Sequence, residues 1–113
     1  MLTYAIIIFA VAALGGAFMA SKVLKGVLAP WPVSIIHALL GATGLVMLIM
    51  MVLEGTGGGA ITAALALFLV AALGGFYLAS FHAKNLVAPK NIVILHAGLA
   101  VVGFLVLLSV FLG

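Results

Sequence analysis

The sequence predicts an all-α integral membrane protein, an up-down-up-down four-helix bundle made of two tandem helical-hairpin repeats. Three observations support this prediction. The 113 residues are 69% hydrophobic and only 4% charged, which is more apolar surface than a soluble domain of this size can bury. Four apolar segments each reach the roughly 20 residues that a helix needs to cross a bilayer. Motifs of the first half also return in the second half at a constant spacing of 59 residues.

The predicted helices begin and end at sequence signals typical of helix termini. Pro32 opens the second helix and Pro89 precedes the fourth, where the missing N–H of proline has no intrahelical partner to lose. Residues 22–26 end the first helix, and the glycine-rich stretch 54–59 is a tight turn between the second and the third. Short loops make consecutive helices antiparallel neighbours, so we expect a single membrane domain. The predicted helices are about 3–22, 33–53, 60–82 and 92–112.

The repeat divides the domain into two hairpins, about 1–54 and about 60–113. The motif Ala-Ala-Leu-Gly-Gly occurs at 12–16 and again at 71–75. The histidines of the second and fourth helices follow the same spacing. A two-helix unit that repeats in one orientation relates its two halves by a pseudo-two-fold axis along the membrane normal.

The lysines predict the orientation in the membrane. All four lie in the loops after the first and third helices, and we call this face of the bundle the lysine side. By the positive-inside rule, the lysine side is cytoplasmic and both termini face outward, in a bacterial-type inner membrane. The lysines are Lys22, Lys25, Lys84 and Lys90.

Composition excludes several classes of function. Cysteine is absent, which excludes disulfides, thiolate metal sites and cysteine-based catalysis. The only carboxylate side chain, Glu54, lies on the opposite side from the histidines, which excludes hydrolytic triads and carboxylate dyads. Four lysines without an arginine are too few for a nucleic-acid partner. Whether the protein is an enzyme stays open.

Two histidines at matched depth are the candidate functional residues. His37 and His96 lie about a turn and a half inside the lysine side, where ionisable side chains usually point into the bundle. Their helices are diagonal, roughly 12–14 Å apart when neighbours pack at ~8–10 Å. That separation suits two imidazoles on one haem iron and is too long for a bare metal ion. The structural alternative is a histidine that is simply hydrogen-bonded to a serine, a carbonyl or water.

Small residues accompany the histidines and leave room for a flat cofactor. Gly15 and Gly16, with their repeat mates Gly74 and Gly75, are expected at the same depth on the first and third helices. Without side chains at that level, a macrocycle has space between the helices. The same residues also permit close packing of membrane helices, which is their more common role. The histidine-bearing helices add Gly41, Gly44 and Gly103 to the expected cofactor-binding residues.

Each of the remaining polar residues has either a general role at the membrane surface or a specific role in binding a cofactor or metal. Lys25 and Lys84 either contact lipid head groups or bind haem propionates at the cytoplasmic rim. His82 has no repeat mate, because Val23 occupies the equivalent position. It is a surface histidine, a hydrogen-bond donor at the rim or a proton relay, or it forms a histidine-only Zn or Cu site with His96.

With His37 and His96 in a small-residue setting, the chain resembles the four-helix b-type membrane cytochromes, such as the cytochrome b561 and respiratory cytochrome b group. The resemblance covers the whole chain in architecture and only a few residues in motif. It implies haem b with these two histidines as axial ligands, and electron exchange with quinone or another carrier. Those families usually stack two haems with ligands at both membrane sides. Here every histidine is on the lysine side, so we expect one haem.

The expected function is therefore that of a small membrane haem b protein for electron transfer or redox sensing. It would work in the lipid bilayer with a redox partner subunit or as a homo-oligomer. Two alternatives remain open. One is a non-enzymatic accessory subunit that packs against a larger membrane complex, and the other is a component of histidine-based metal or proton-coupled transport.

Overall fold

The computed structural model covers residues 1–113 and contains four helices and no strand. Each helix is long and apolar enough to cross a membrane. The molecule is 42 Å long, close to the ~40–45 Å of a bilayer with its head groups. The all-α fold of a multi-pass membrane protein is thus confirmed, with helix ends within two residues of those expected. The helices are α1 (Leu2–Leu24), α2 (Trp31–Leu53), α3 (Gly58–Ala83) and α4 (Lys90–Leu112).

The helices are arranged in chain order around the bundle. α1 packs on α2 and α4, and α3 packs on α2 and α4. α1 and α3 are therefore diagonal, and so are α2 and α4. This is the predicted up-down-up-down order, and it follows from the short connections, which leave consecutive helices side by side.

The two loops of the lysine side begin with the same helix cap. Gly26 has φ +79° and donates its N–H to the carbonyl of Val23, and the N–H of Val27 donates to the carbonyl of Lys22, one residue further back. Asn85, its repeat mate, has φ +57° and makes the same pair of bonds. Both loops thus start with a Schellman motif, in which a left-handed residue satisfies the last carbonyls of the helix.

We expect Gly26→Val to destabilise the protein by about 1–2 kcal/mol, because a β-branched residue is strained in the left-handed region. Asn85→Gly is the matched control at the equivalent position, and we expect it to be neutral or slightly stabilising because glycine has no such strain. Thermal unfolding of the detergent-solubilised variants measures both effects. Equal melting temperatures for the two variants would contradict this account of the cap.

The bundle is tightly packed in one half of the membrane only. The four largest fully buried side chains all lie in the half that holds the termini and the turn between α2 and α3: Leu48, Met51, Ile61 and Leu107. Phe9 and Phe68 stack on each other across the α1–α3 diagonal, with ring centroids 4.0 Å apart and planes at 6°. The core ends at this stack, and the helices line a partly open cavity on the lysine side of it.

Candidate functional site

A cavity of about 550 Å³ occupies the centre of the bundle on the lysine side. The Phe9–Phe68 stack closes its inner end, and loop residues line its rim. Its walls are mostly alanine, glycine and larger apolar side chains. The volume lies within the roughly 300–1,000 Å³ that is usual for small-molecule and cofactor sites. The only polar side chains in its lining are Ser34, His37, His82 and His96.

Both central histidines reach across to the neighbouring helix of their own hairpin. The Nδ1–H of His37 on α2 donates to the carbonyl oxygen of Ala12 on α1 at 2.8 Å. The Nδ1–H of His96 on α4 donates to the carbonyl oxygen of Ala71 on α3 at 2.7 Å. A carbonyl only accepts, so each Nδ1 carries the proton, and each neutral ring keeps a lone pair on Nε2. Metal-bound histidines usually have this arrangement.

The two imidazole rings meet across the α2–α4 diagonal. The ring centroids of His37 and His96 are 6.2 Å apart, and the planes are inclined by 72°. A ring nitrogen lies about 1 Å from its ring centre and about 2 Å from a bound metal, so two opposed ligands place their ring centres about 6 Å apart. The observed separation fits this value. The side chains reach inward from their helices, so the roughly 12–14 Å expected between the diagonal helices does not by itself exclude a bare metal ion.

The glycine pairs of α1 and α3 lie against the histidines. A Cβ atom on Gly16 would be 2.9 Å from Cε1 of His37, and one on Gly75 would be 3.1 Å from Cε1 of the second histidine. These two glycines also line the cavity. Gly15 and Gly74 face the Cβ atoms of the same histidines at 3.9 and 3.7 Å and do not line it. The main role of the glycines is to let each imidazole approach a helix backbone.

The glycines of the histidine-bearing helices have different neighbours. Gly41 lines the cavity, and a Cβ atom there would have nothing within 4 Å. Gly44 and Gly103 instead face the rings of Phe9 and Phe68, which a Cβ atom would approach to 2.5 and 3.1 Å. Neither glycine lines the cavity, because bulky rings fill the space in front of it, and its place beside a cofactor stays a prediction. The two phenylalanines are 59 residues apart and are therefore repeat mates, a signal in the sequence that could have indicated their pairing.

The rim residues separate into exposed lysines and a stacked histidine. Lys25 and Lys84 directly follow α1 and α3, are exposed, and do not line the cavity. His82 stacks on Trp31, with ring centroids 3.8 Å apart and planes at 10°. The three histidines do not form a cluster that could hold a metal ion. The structure therefore pairs the two central histidines and leaves His82 at the rim.

A comparison against protein-family models, curated proteins and solved structures finds no match for this chain. The cavity lining offers two imidazole rings with centroids 6.2 Å apart in apolar surroundings, and one further imidazole and one hydroxyl at the rim. Glu54 follows α2 at the other end of the bundle, so no carboxylate side chain acts on the histidines.

Proposed function

We propose that the protein is a small membrane haem b protein in which His37 and His96 bind one haem iron. One observation carries the proposal. Two imidazoles on diagonal helices have their ring centroids 6.2 Å apart, and each donates its Nδ1–H to a backbone carbonyl oxygen. Both Nε2 atoms are then available to one metal centre, which supports bis-histidine ligation.

The cavity favours a haem over a bare metal ion. A bare ion with two protein ligands is short of the four that zinc usually takes. The roughly 550 Å³ of space around the histidines serves no purpose for an ion but suits a flat apolar macrocycle. Gly16, Gly41 and Gly75 keep side chains out of this space.

Haem supplies one-electron redox chemistry, and the protein sets its conditions. The hydrogen bonds to Ala12 and Ala71 orient the imidazoles and raise their basicity as ligands. The apolar walls exclude water and lower the local dielectric, which tunes the reduction potential. These residues therefore suit electron transfer or redox sensing.

We further propose that the site exchanges electrons on the lysine side only. The histidine pair lies on that side of the packed core, and all four lysines flank it. The lysine distribution supports a cytoplasmic position for this side and external termini in a bacterial-type inner membrane. Electron transfer to the opposite face would need a quinone, a redox partner subunit or another copy of the chain.

The absorption spectrum of the purified protein tests the haem proposal. We expect a Soret band and sharp bands of the reduced haem in the wild-type protein. His37→Ala and His96→Ala should each lose most of the bound haem, because each removes one axial ligand. Val23→Ala is the control, since it changes a residue of the cavity lining without removing a histidine, and it should stay red.

Two results would overturn the proposal. One is a colourless wild-type protein purified from haem-replete cells, and co-purification with a larger complex would then favour an accessory subunit. The other is a His37→Ala/His96→Ala double variant that retains full haem. Metal analysis of the same samples shows whether the histidines bind a bare ion instead of haem iron.

A further inference from the structure

The rim end of the cavity is polar between α2 and α3 and apolar at the equivalent place between α4 and α1. Ser34 on α2 and His82 on α3 line the cavity. Their repeat mates, Val93 on α4 and Val23 on α1, line it as well. The pseudo-two-fold symmetry is thus broken where a bound molecule would reach the membrane surface. A molecule that matches this lining has one polar edge and is otherwise apolar.

The stack on Trp31 holds His82 in place. The two rings are nearly parallel, with planes at 10° and centroids 3.8 Å apart. A ring held by its face keeps its edge nitrogens available for hydrogen bonds. The repeat mate of Trp31 is Lys90, so this aromatic support also exists on one side only.

We propose that His82 and Ser34 bind the acidic edge of the cavity ligand. This inference rests on the proposed function, in which that edge carries the two haem propionates. An imidazole N–H and a hydroxyl both donate hydrogen bonds to a carboxylate, and such charge-assisted bonds are the stronger kind. His37 and His96 already donate their Nδ1–H groups to the backbone.

This assignment differs from the one that the sequence suggests. Lys25 and Lys84 are the nearest cations along the chain, yet both are exposed and lie outside the cavity lining. Contact with a carboxylate inside the cavity would require them to fold back over the rim. His82 and Ser34 already line it, so they bind without rearrangement. The ligand therefore has a single orientation, with its acidic edge between α2 and α3.

A titration of haem-free protein in detergent tests this assignment. The probes are haemin and haemin dimethyl ester, which has the same macrocycle but blocked propionates. We expect the wild-type protein to bind haemin about tenfold or more tightly than the ester, the effect of one charge-assisted hydrogen bond. His82→Ala should lose this preference and keep the Soret band, because both axial histidines remain. His82→Gln keeps an N–H donor and should retain part of the preference.

Val23→Ala is the matched control, because it truncates the repeat mate of His82 at the other side of the cavity. It should keep the full preference for haemin. Full preference in His82→Ala, or its loss in Lys84→Ala instead, would overturn the inference while leaving the haem site intact. A wild-type protein that binds neither probe would overturn the proposed function and the inference together. The two failures are therefore distinguishable.

Discussion

Gly44→Val is expected to destabilise the bundle by about 3 kcal/mol, whereas Gly41→Val, one turn earlier on α2, is expected to change its stability little. A Cβ atom on Gly44 would lie 2.5–2.8 Å from three atoms of the Phe9 ring. That ring is buried and stacked on Phe68, so moving it disrupts the stack. Overpacking usually costs about 1–3 kcal/mol, and a Cβ atom only 2.5 Å from a buried ring places this site at the upper end. A protein stabilised by only ~5–15 kcal/mol is sensitive to such a loss.

Gly41 provides the control for this prediction because a Cβ atom there meets nothing within 4 Å. Yield of monodisperse protein and the melting temperature in detergent measure the difference between the two variants. Phe9→Ala should partly rescue Gly44→Val, since it removes the atoms that the valine would meet, and a double-mutant cycle quantifies the coupling. Independent, additive effects of the two changes would show that the contact between Gly44 and Phe9 does not limit stability.

Gly16→Ala is expected to lower haem binding by about tenfold or more while the protein stays folded. The added Cβ would be 2.9 Å from Cε1 of His37, so the imidazole must move. A shifted ring lengthens the 2.8 Å bond to the carbonyl of Ala12 and changes the position of Nε2. Loss of such an outer-shell partner typically costs 10–100-fold in metal affinity. The ratio of haem to protein and the position of the Soret band report the change.

The glycines beside the histidines give this prediction a graded series. Gly75→Ala should have a smaller effect, because its Cβ would be 3.1 Å from the ring of the second histidine. Gly15→Ala should have almost none, because its nearest neighbours would be 3.9 Å away. The expected order of haem loss is therefore Gly16, Gly75, Gly15. Equal haem content in all three alanine variants would refute the idea that the glycines position the imidazoles.

Helix number, helix ends and bundle order were predictable because each depends on local sequence or on loop length. Apolar runs of membrane-spanning length and flanking prolines locate the helices, and short loops make neighbours antiparallel. The repeat then places His37 and His96 on diagonal helices at one depth. These properties require no knowledge of which side chains meet between helices.

The packing of the site was less predictable, because a glycine in the sequence does not show which neighbour it faces. Gly44 and Gly16 have the same residue type and helical setting, yet one faces a phenylalanine and the other an imidazole. The stack of Trp31 on His82 joins residues far apart in the chain and has no repeat counterpart. The separation of the histidine rings likewise depends on side-chain reach, which helix spacing does not determine.

The two cross-diagonal pairs, Phe9 with Phe68 and His37 with His96, each join a residue to its own repeat mate. In a symmetric homodimer, this is how residues near the two-fold axis behave in an isologous interface. The chain is thus a dimer of hairpins fused into one polypeptide. A true homodimer would carry every side chain twice, so it could not place a polar rim on one side and an apolar rim on the other. Because the two hairpins belong to one chain, their sequences can differ at equivalent positions, as His82 and Val23 do.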